Sequence, residues 1–193
     1  TKATFEVTLV FSDEFQAVSN TPVVAETVPG PGLKSVRFAE TPVMSTYLLV
    51  FIVGHLTSIE EQAPGGTKVG VWTTPGKEKQ AAFALDTSVK LLGYFNEYFG
   101  IPYPLAKLDH IAIPDFAAGA MENWGAITYR ETALLVDPEN SSAGTRQRVA
   151  EVATIVWHDL GRRAKFRAQS LDIGHGMGAP HDNRDGFLWG LGH

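Results

Sequence analysis

Residue types that can do chemistry are concentrated in two stretches of the chain. The first is the run Gly119-Ala120-Met121-Glu122-Asn123, which Trp124-Gly125 follow at once. A lone glutamate is ordinarily a solvated surface carboxylate, so only its neighbours can give Glu122 a further meaning. The second stretch, after about residue 153, holds four of the six histidines, at positions 158, 175, 181 and 193. Imidazoles suit Zn²⁺, and because the chain has no cysteine, any zinc site must use His, Asp or Glu.

Composition limits the class of protein. A hydrophobic fraction of 44% and a charged fraction of 19% are typical of a globular chain, and 193 residues suffice for one domain or two small ones. The net charge of -5 argues against a nucleic-acid partner. We expect no membrane span, since no apolar run approaches roughly 18 residues. No secretory signal is visible, and the compartment stays open, with the cytoplasm favoured.

The run around Glu122 resembles the Gly-Ala-Met-Glu-Asn exopeptidase signature of the M1 family of zinc aminopeptidases. The residues that lead into it (113–118) and out of it (127–135) are similar to the same family, as are 44–49 and 99–104. The chain is therefore identified as an internal piece of an M1 aminopeptidase of the aminopeptidase N or puromycin-sensitive type, with a divergent C-terminal tail.

The resemblance implies an α+β fold. Residues 1–75 would be the latter part of an antiparallel β-sheet domain, and residues 76–152 would start a thermolysin-like catalytic domain. Residues 153–193 would be a divergent tail rich in His and Gly. Because the β part would begin partway through the family's sheet, we expect exposed β edges and self-association through them.

The resemblance also implies roles for the signature residues, with peptide N-termini as the partner. Glu122 matches the family's carboxylate that binds the free α-ammonium group of the substrate, a charge-assisted hydrogen bond. Gly119, Ala120 and Met121 match residues whose backbone lies beside the substrate chain, and glycine permits the close approach. Asn123 completes the set of expected substrate-binding residues.

Zinc is implied by the family, and its binding by this chain is in doubt. The family's His-Glu-x-x-His, with two metal ligands on one helix face and a general base between them, is absent from the sequence. The nearest candidate places His158 as first ligand, Asp159 as general base and Arg162 as second ligand. A guanidinium has no lone pair for a metal. His181 falls at the position of the third ligand, and no glutamate follows Glu151.

Three hypotheses remain open. The chain is an aminopeptidase by descent whose metal site is lost or replaced, or a non-catalytic module that binds peptide N-termini or serves as an interaction module. Alternatively, its last 40 or so residues are not the natural continuation, as after a reading-frame error or altered splice. A separate zinc site built from His158, His175 and His181 is conceivable, although their spacing matches no defensible motif.

Periodicity predicts the elements that must position these residues. Residues 5–11 alternate as a strand does, and Tyr47–Val53 is apolar on both faces, which predicts a central, doubly covered strand. A helix with Ala82 on its buried stripe should end at Gly100. A domain boundary is placed near residues 74–77, where the period changes. Further strands are expected at 33–38, 45–53, 67–74, 108–113 and 124–129, and a second helix from about Thr145.

Overall fold

The structure is a computed structural model that describes residues 2–153, with side chains described to residue 151. Its strands are β1 (Lys2–Ala3), β2 (Thr8–Ser12), β3 (Gln16–Ser19), β4 (Val23–Gly30), β5 (Leu33–Phe38), β6 (Met44–Ser45), β7 (Phe51–Gly54), β8 (Thr57–Gln62), β9 (Lys68–Thr73), β10 (Lys107–Ile113), β11 (Ala120–Met121) and β12 (Ala126–Arg130). Its helices are a 3₁₀ turn (Thr46–Leu48), α1 (Glu78–Phe99), α2 (Glu131–Leu134) and α3 (Ala143–Ala153). The α+β class is confirmed.

The first 54 residues form small antiparallel sheets. Strands β2, β5 and β4 make a three-stranded sheet in the order β2-β5-β4, while β3 pairs with β7 and β1 with β6. The β4–β5 hairpin turns at Gly32, whose φ of 70° is a conformation that glycine adopts at no steric cost. Antiparallel pairing throughout this part agrees with the expected β domain.

A five-stranded mixed sheet follows, in the order β11-β12-β10-β9-β8. The three inner strands β12, β10 and β9 run parallel, and each edge strand is antiparallel to its neighbour. Parallel neighbours need a crossover connection, and α1 supplies it between β9 and β10. Strands β8 and β9 precede residue 75 and the other three follow it, so this sheet crosses the predicted domain boundary, which stays a prediction.

Helix α1 forms where the sequence predicts it. Glu78 stands in its first turn, where a carboxylate complements the helix dipole, and Gly100 caps its C-terminus with φ 62°. The buried side is made by Ala81, Ala84, Leu85, Ser88, Val89 and Leu92. Ala82, expected on that side, is exposed, because it lies at the margin of the stripe formed by positions 81, 84/85, 88/89 and 92, roughly 20° beyond Val89 around the helix axis.

The five-stranded sheet is covered on both faces. Leu108 and Ala112 of β10 pack in a core with α1 and Val149 of α3, whereas Ile111 packs on the other face with Val18 of β3. Alternate residues of a strand point to opposite faces, so β10 contributes to both cores, as does β12 through Ile127 on one face and Ala126 on the other. Within residues 2–153, no helix is long and apolar enough to cross a membrane.

One strand prediction was wrong. Tyr47–Val53 is not a central strand: it holds the end of the 3₁₀ turn and the start of the short strand β7, which pairs with β3 alone. Tyr47 and Phe51 are 55% and 58% exposed. The apolar run misled because its buried members, such as Leu48, alternate with side chains that face outward.

Candidate functional site

The run that resembles the exopeptidase signature lies at one edge of the five-stranded sheet. Ala120 and Met121 form β11, the last strand in the sheet order, and pair with Tyr129 and Thr128 of β12. Gly119 precedes this short strand, and Glu122 and Asn123 follow it. The structure therefore places the predicted substrate-binding residues 119–123 together, along a strand whose outer edge has no strand partner within residues 2–153.

Backbone direction decides which groups reach that open edge. The amide of Arg130 donates to the carbonyl of Gly119 at 3.0 Å, so the backbone of Gly119 faces β12. Since successive residues of a strand alternate in direction, Met121 also faces β12 and Ala120 faces away. The N–H and C=O of Ala120 are thus presented to the outer side of the sheet.

Glu122 follows β11 directly and is half-buried. Among the described residues, its carboxylate takes part in none of the ion pairs, which involve Glu60, Glu131, Asp86 and Asp109 as acids. A carboxylate that is partly withdrawn from water and has no cationic partner is a ready acceptor for a charged donor.

A tight turn connects the signature run to β12. The amide of Ala126 donates to the carbonyl of Asn123 at 3.2 Å, and Gly125 between them has φ 71°. This positive φ at the third turn position is the conformation of a type II turn, which favours glycine. A Cβ at Gly125 would lie 2.2 Å from the carbonyl oxygen of Asn20, so no other residue fits there without movement.

Asn123 is a structural member of the signature. Its side chain is buried, its amide oxygen accepts from Thr128 Oγ1 at 3.1 Å, and its amide nitrogen donates to the carbonyl of Leu48 at 3.3 Å. These bonds tie the residue after Glu122 to β12 on one side and to the 3₁₀ turn on the other. Asn123 therefore fixes the position of the backbone from which the Glu122 side chain extends.

A buried lysine lies beneath the same turn. Lys107 Nζ donates to Asp109 Oδ2 at 2.6 Å, to the carbonyl of Ser19 at 2.7 Å and to the carbonyl of Gly125 at 2.8 Å. Burial lowers the pKa of Lys107, and the charge of Asp109 opposes that shift. All three ammonium protons have acceptors, the condition under which a buried charge is tolerated.

Arg130 of β12 holds the segment before Gly119 through hydrogen bonds. Arg130 Nε donates to the carbonyl of Phe116 at 2.9 Å, and Arg130 Nη2 donates to the carbonyl of Ala117. One guanidinium thus binds two successive carbonyls through its fixed fork of donors. The approach to β11 is therefore anchored on the same strand with which β11 pairs.

Two buried aromatic groups lie behind β11. His110 Nδ1 is 3.0 Å from the hydroxyl of Tyr129, the residue opposite Ala120. Burial lowers the pKa of His110 to about 4 and raises the pKa of Tyr129 well above its ordinary value. Both groups are consequently neutral near pH 7, and His110 Nε2 has no hydrogen-bond partner among the described residues.

The predicted metal and base residues His158, Asp159 and His181 lie outside the described residues. Within residues 2–153 no group of three or more His, Asp or Glu side chains is arranged to hold a metal ion. Sequence reasoning missed Asn20 and Lys107. Asn20 stands before Thr21 and Pro22, a sequence typical of a turn, and nothing local marks either residue, because the partners Leu48, Trp124 and Gly125 are distant in sequence.

Comparison with known proteins agrees with this arrangement. The peptidase M1 N-terminal domain matches residues 1–48, and the peptidase family M1 domain matches residues 83–162. The chain is 55% identical over 159 residues to "Aminopeptidase M1-B" of Oryza sativa subsp. japonica, a match that covers 82% of this chain and 18% of that protein.

Two further relatives show the same similarity. The chain is 51% identical over 160 residues to "Puromycin-sensitive aminopeptidase" of Caenorhabditis elegans, covering 82% of this chain and 17% of that protein. It is 47% identical over 152 residues to "Aminopeptidase N" of Acetobacter pasteurianus, covering 78% of this chain and 42% of that protein. The chain thus spans less than half the length of each of these relatives. With both matched domains in their expected order and the signature strand inside the second of them, the chain belongs to the M1 peptidase family.

Proposed function

We propose that this chain recognises the free N-terminus of a peptide, as the recognition part of an M1 aminopeptidase, with Glu122 as acceptor of the α-ammonium group. The observation that carries the proposal is the half-buried Glu122 carboxylate, which has no ion pair within the described residues and directly follows an edge strand. An ammonium group would supply the missing cation.

The edge strand supports the same proposal through main-chain geometry. A peptide in extended conformation can add to a free sheet edge, with backbone groups giving affinity. Ala120 offers one N–H and one C=O to such a peptide, and Gly119 lets it approach closely. The ammonium group of a peptide lying along 119–121 would then come to Glu122, where the strand ends.

Membership of the family implies zinc, and the donor set of this chain does not fit that metal. Residues 2–153 bring no three suitable ligands together. The sequence beyond them offers His158 and Asp159, followed by Arg162 where a second imidazole is needed. We therefore derive no catalytic step through zinc, and we propose that recognition is uncoupled from hydrolysis in this chain.

The same donor set favours the module that only binds peptide N-termini over an active aminopeptidase. Without a metal to hold the scissile carbonyl, one charge-assisted hydrogen bond and one pair of backbone bonds remain. Such contacts give a dissociation constant on the order of millimolar. Discrimination between free and blocked N-termini, rather than affinity, is then the property that identifies the site.

The test is an NMR titration of the full chain with a short peptide and with its N-acetylated form. We expect the free peptide to bind at millimolar concentration and the acetylated peptide to bind about tenfold more weakly, because acetylation removes the charge that Glu122 accepts. Glu122→Gln should abolish that difference. Glu61→Gln is the matched control, since Glu61 is an exposed glutamate on β8, the opposite edge strand of the same sheet.

Equal binding of the two peptides by the wild-type chain would overturn the proposal. A difference that survives in Glu122→Gln would show that another carboxylate recognises the ammonium group. Loss of the difference in Glu61→Gln as well would point to a general effect of charge rather than to a site at β11.

A further inference from the structure

The turn that follows Glu122 is held in place by Asn20, a residue outside the five-stranded sheet. This side chain is 1% exposed and lies just after β3, in the N-terminal antiparallel part. Its amide nitrogen donates to the carbonyl of Trp124 at 2.8 Å and to the carbonyl of Leu48 at 2.9 Å. Its amide oxygen accepts from the amide of Val50 at 3.0 Å. Both amide protons of Asn20 are therefore engaged.

The carbonyl of Leu48 is an acceptor that Asn20 shares with the signature run. It accepts from Asn20 and also from Asn123 Nδ2, at 2.9 and 3.3 Å. Asn20 and Asn123 thus meet on one buried acceptor, and Asn20 reaches past it to Trp124. The two residues that follow Glu122 are both tied to the N-terminal part by these bonds.

Steric contact agrees with the hydrogen bonds. A Cβ atom added to Gly125 would lie only 2.2 Å from the backbone carbonyl oxygen of Asn20. Lys107 adds a bridge below, since its ammonium group joins the carbonyls of Ser19 and Gly125. The turn is therefore contacted directly by the side-chain amide and the backbone carbonyl of Asn20, and Lys107 links it to the carbonyl of Ser19.

We propose that Asn20 is a positioning residue, which sets the place of Glu122 for ammonium recognition by fixing the turn at Asn123–Gly125. This inference rests on the proposed function for the role of Glu122, whereas the contact of Asn20 with the turn is tested without any peptide. A structural role confined to the N-terminal part would need only the bonds to Leu48 and Val50. The bond to Trp124 and the fit against Gly125 belong to the turn.

The experiment compares Asn20→Ala with Ser19→Ala in the full chain by amide hydrogen exchange. Ser19 is the matched control because it is equally buried and bonds the same neighbour, with Ser19 Oγ donating to the carbonyl of Val50 at 2.8 Å. We expect exchange at residues 122–126 to be about tenfold faster in Asn20→Ala. In Ser19→Ala, exchange at those residues should change less than twofold.

Peptide recognition supplies the second readout. We expect Asn20→Ala to lower the ratio of affinities for free and acetylated peptide toward one, while Ser19→Ala keeps the wild-type ratio. Unchanged exchange at 122–126 in Asn20→Ala would overturn the proposal, and so would faster exchange with the full ratio retained. If the wild-type chain itself does not distinguish the peptides, the proposed function fails, and the exchange result alone decides whether Asn20 holds the turn.

A measurement on the wild-type chain covers the case in which Asn20→Ala does not fold. Under low denaturant, segments that open together exchange with one common dependence on denaturant. We expect the amides of 122–126 to open in the same unit as Val50 and the β3–β7 pair. Opening of 122–126 independently of that unit would overturn the inference.

Discussion

His110 is held entirely out of water on the central strand β10, with 0% of its surface exposed. Burial lowers its pKa from 6.5 to about 4. The unfolded chain therefore takes up a proton on this residue before the folded chain does as the pH falls. Stability from this group is complete above about pH 7 and decreases between pH 6.5 and pH 4, where the unfolded state binds more protons.

We expect His110 to remove roughly 3 kcal/mol from the free energy of unfolding between pH 7 and pH 4. The measurement is urea unfolding of the wild-type chain and of His110→Gln at several pH values in that window. The quantity compared is the pH slope, because His110→Gln also changes packing against Tyr129 at every pH. The variant should be the less pH-dependent protein.

His55→Gln is the control for the loss of one histidine from the chain, since His55 is exposed beside the ring of Phe15. An identical slope in wild type and His110→Gln would mean that His110 is hydrated or charged in the folded state. Its neutral pairing with the Tyr129 hydroxyl behind β11 would then be wrong.

At the scale of elements, β4 is an edge strand with an apolar surface. Among the strands of residues 2–153 it pairs with β5 alone, and Val23, Val24 and Val28 on it are 42%, 51% and 76% exposed. An edge that combines unpaired backbone groups with exposed valines is a template for pairing with another chain. The self-association expected from sequence remains a prediction, and β4 is the element through which we now propose it.

Val28→Lys should therefore lower the association constant of the chain by about tenfold, because a lysine on an edge strand opposes a second strand. Sedimentation velocity over a concentration series measures the association constant. Val43→Lys is the matched control: Val43 is 58% exposed but lies between strands. A monomeric wild-type chain, or equal effects of the two substitutions, would contradict a role for the β4 edge.

Elements with a strong local period were predictable, and those set by distant partners were not. The α1 stripe around Leu85, Val89 and Leu92, with Gly100 after it, specifies that helix from its own residues. Strands β3, β4 and β8 were not predicted, and the run from Tyr47 to Val53 was misassigned. These strands are short or largely exposed, and pairing rather than propensity forms them.

The candidate site divides in the same way. Residues 119–123 were predicted together, because the signature is contiguous and β11 keeps it so. The contribution of Asn20 to the site was not predicted, because an asparagine before Thr21-Pro22 is typical of a turn. Only the fold shows that its amide reaches Trp124, and no periodicity connects residues so far apart.

At the scale of the whole molecule, the chain combines the edge strand β11 with a sequence in which the family's His-Glu-x-x-His is absent. We expect no hydrolysis of aminoacyl chromogenic substrates, with or without added Zn²⁺, because Arg162 cannot act as a metal ligand and Asp159 is one methylene shorter than the family's general base. Zinc analysis of the purified chain should show less than stoichiometric metal.

The folded state of the sample is checked by the peptide titration, so that an inactive chain is distinguished from an unfolded one. Turnover that a chelator abolishes and Zn²⁺ restores would contradict this expectation. It would require a metal site built from side chains outside the described residues, such as His158, His175 and His181.

The bond from Asn20 to Trp124 joins residues 104 positions apart, which has a consequence for synthesis. A ribosome adding about 5–20 residues per second needs roughly 5 to 20 s to pass from the first residue to the second. During that interval the β3–β7 pair can form, whereas the Trp124 carbonyl that accepts from Asn20 has not yet been synthesised. The turn at Asn123–Gly125 is therefore among the last parts of the described chain to assemble, because the donor Asn20 is synthesised first and the acceptor Trp124 much later.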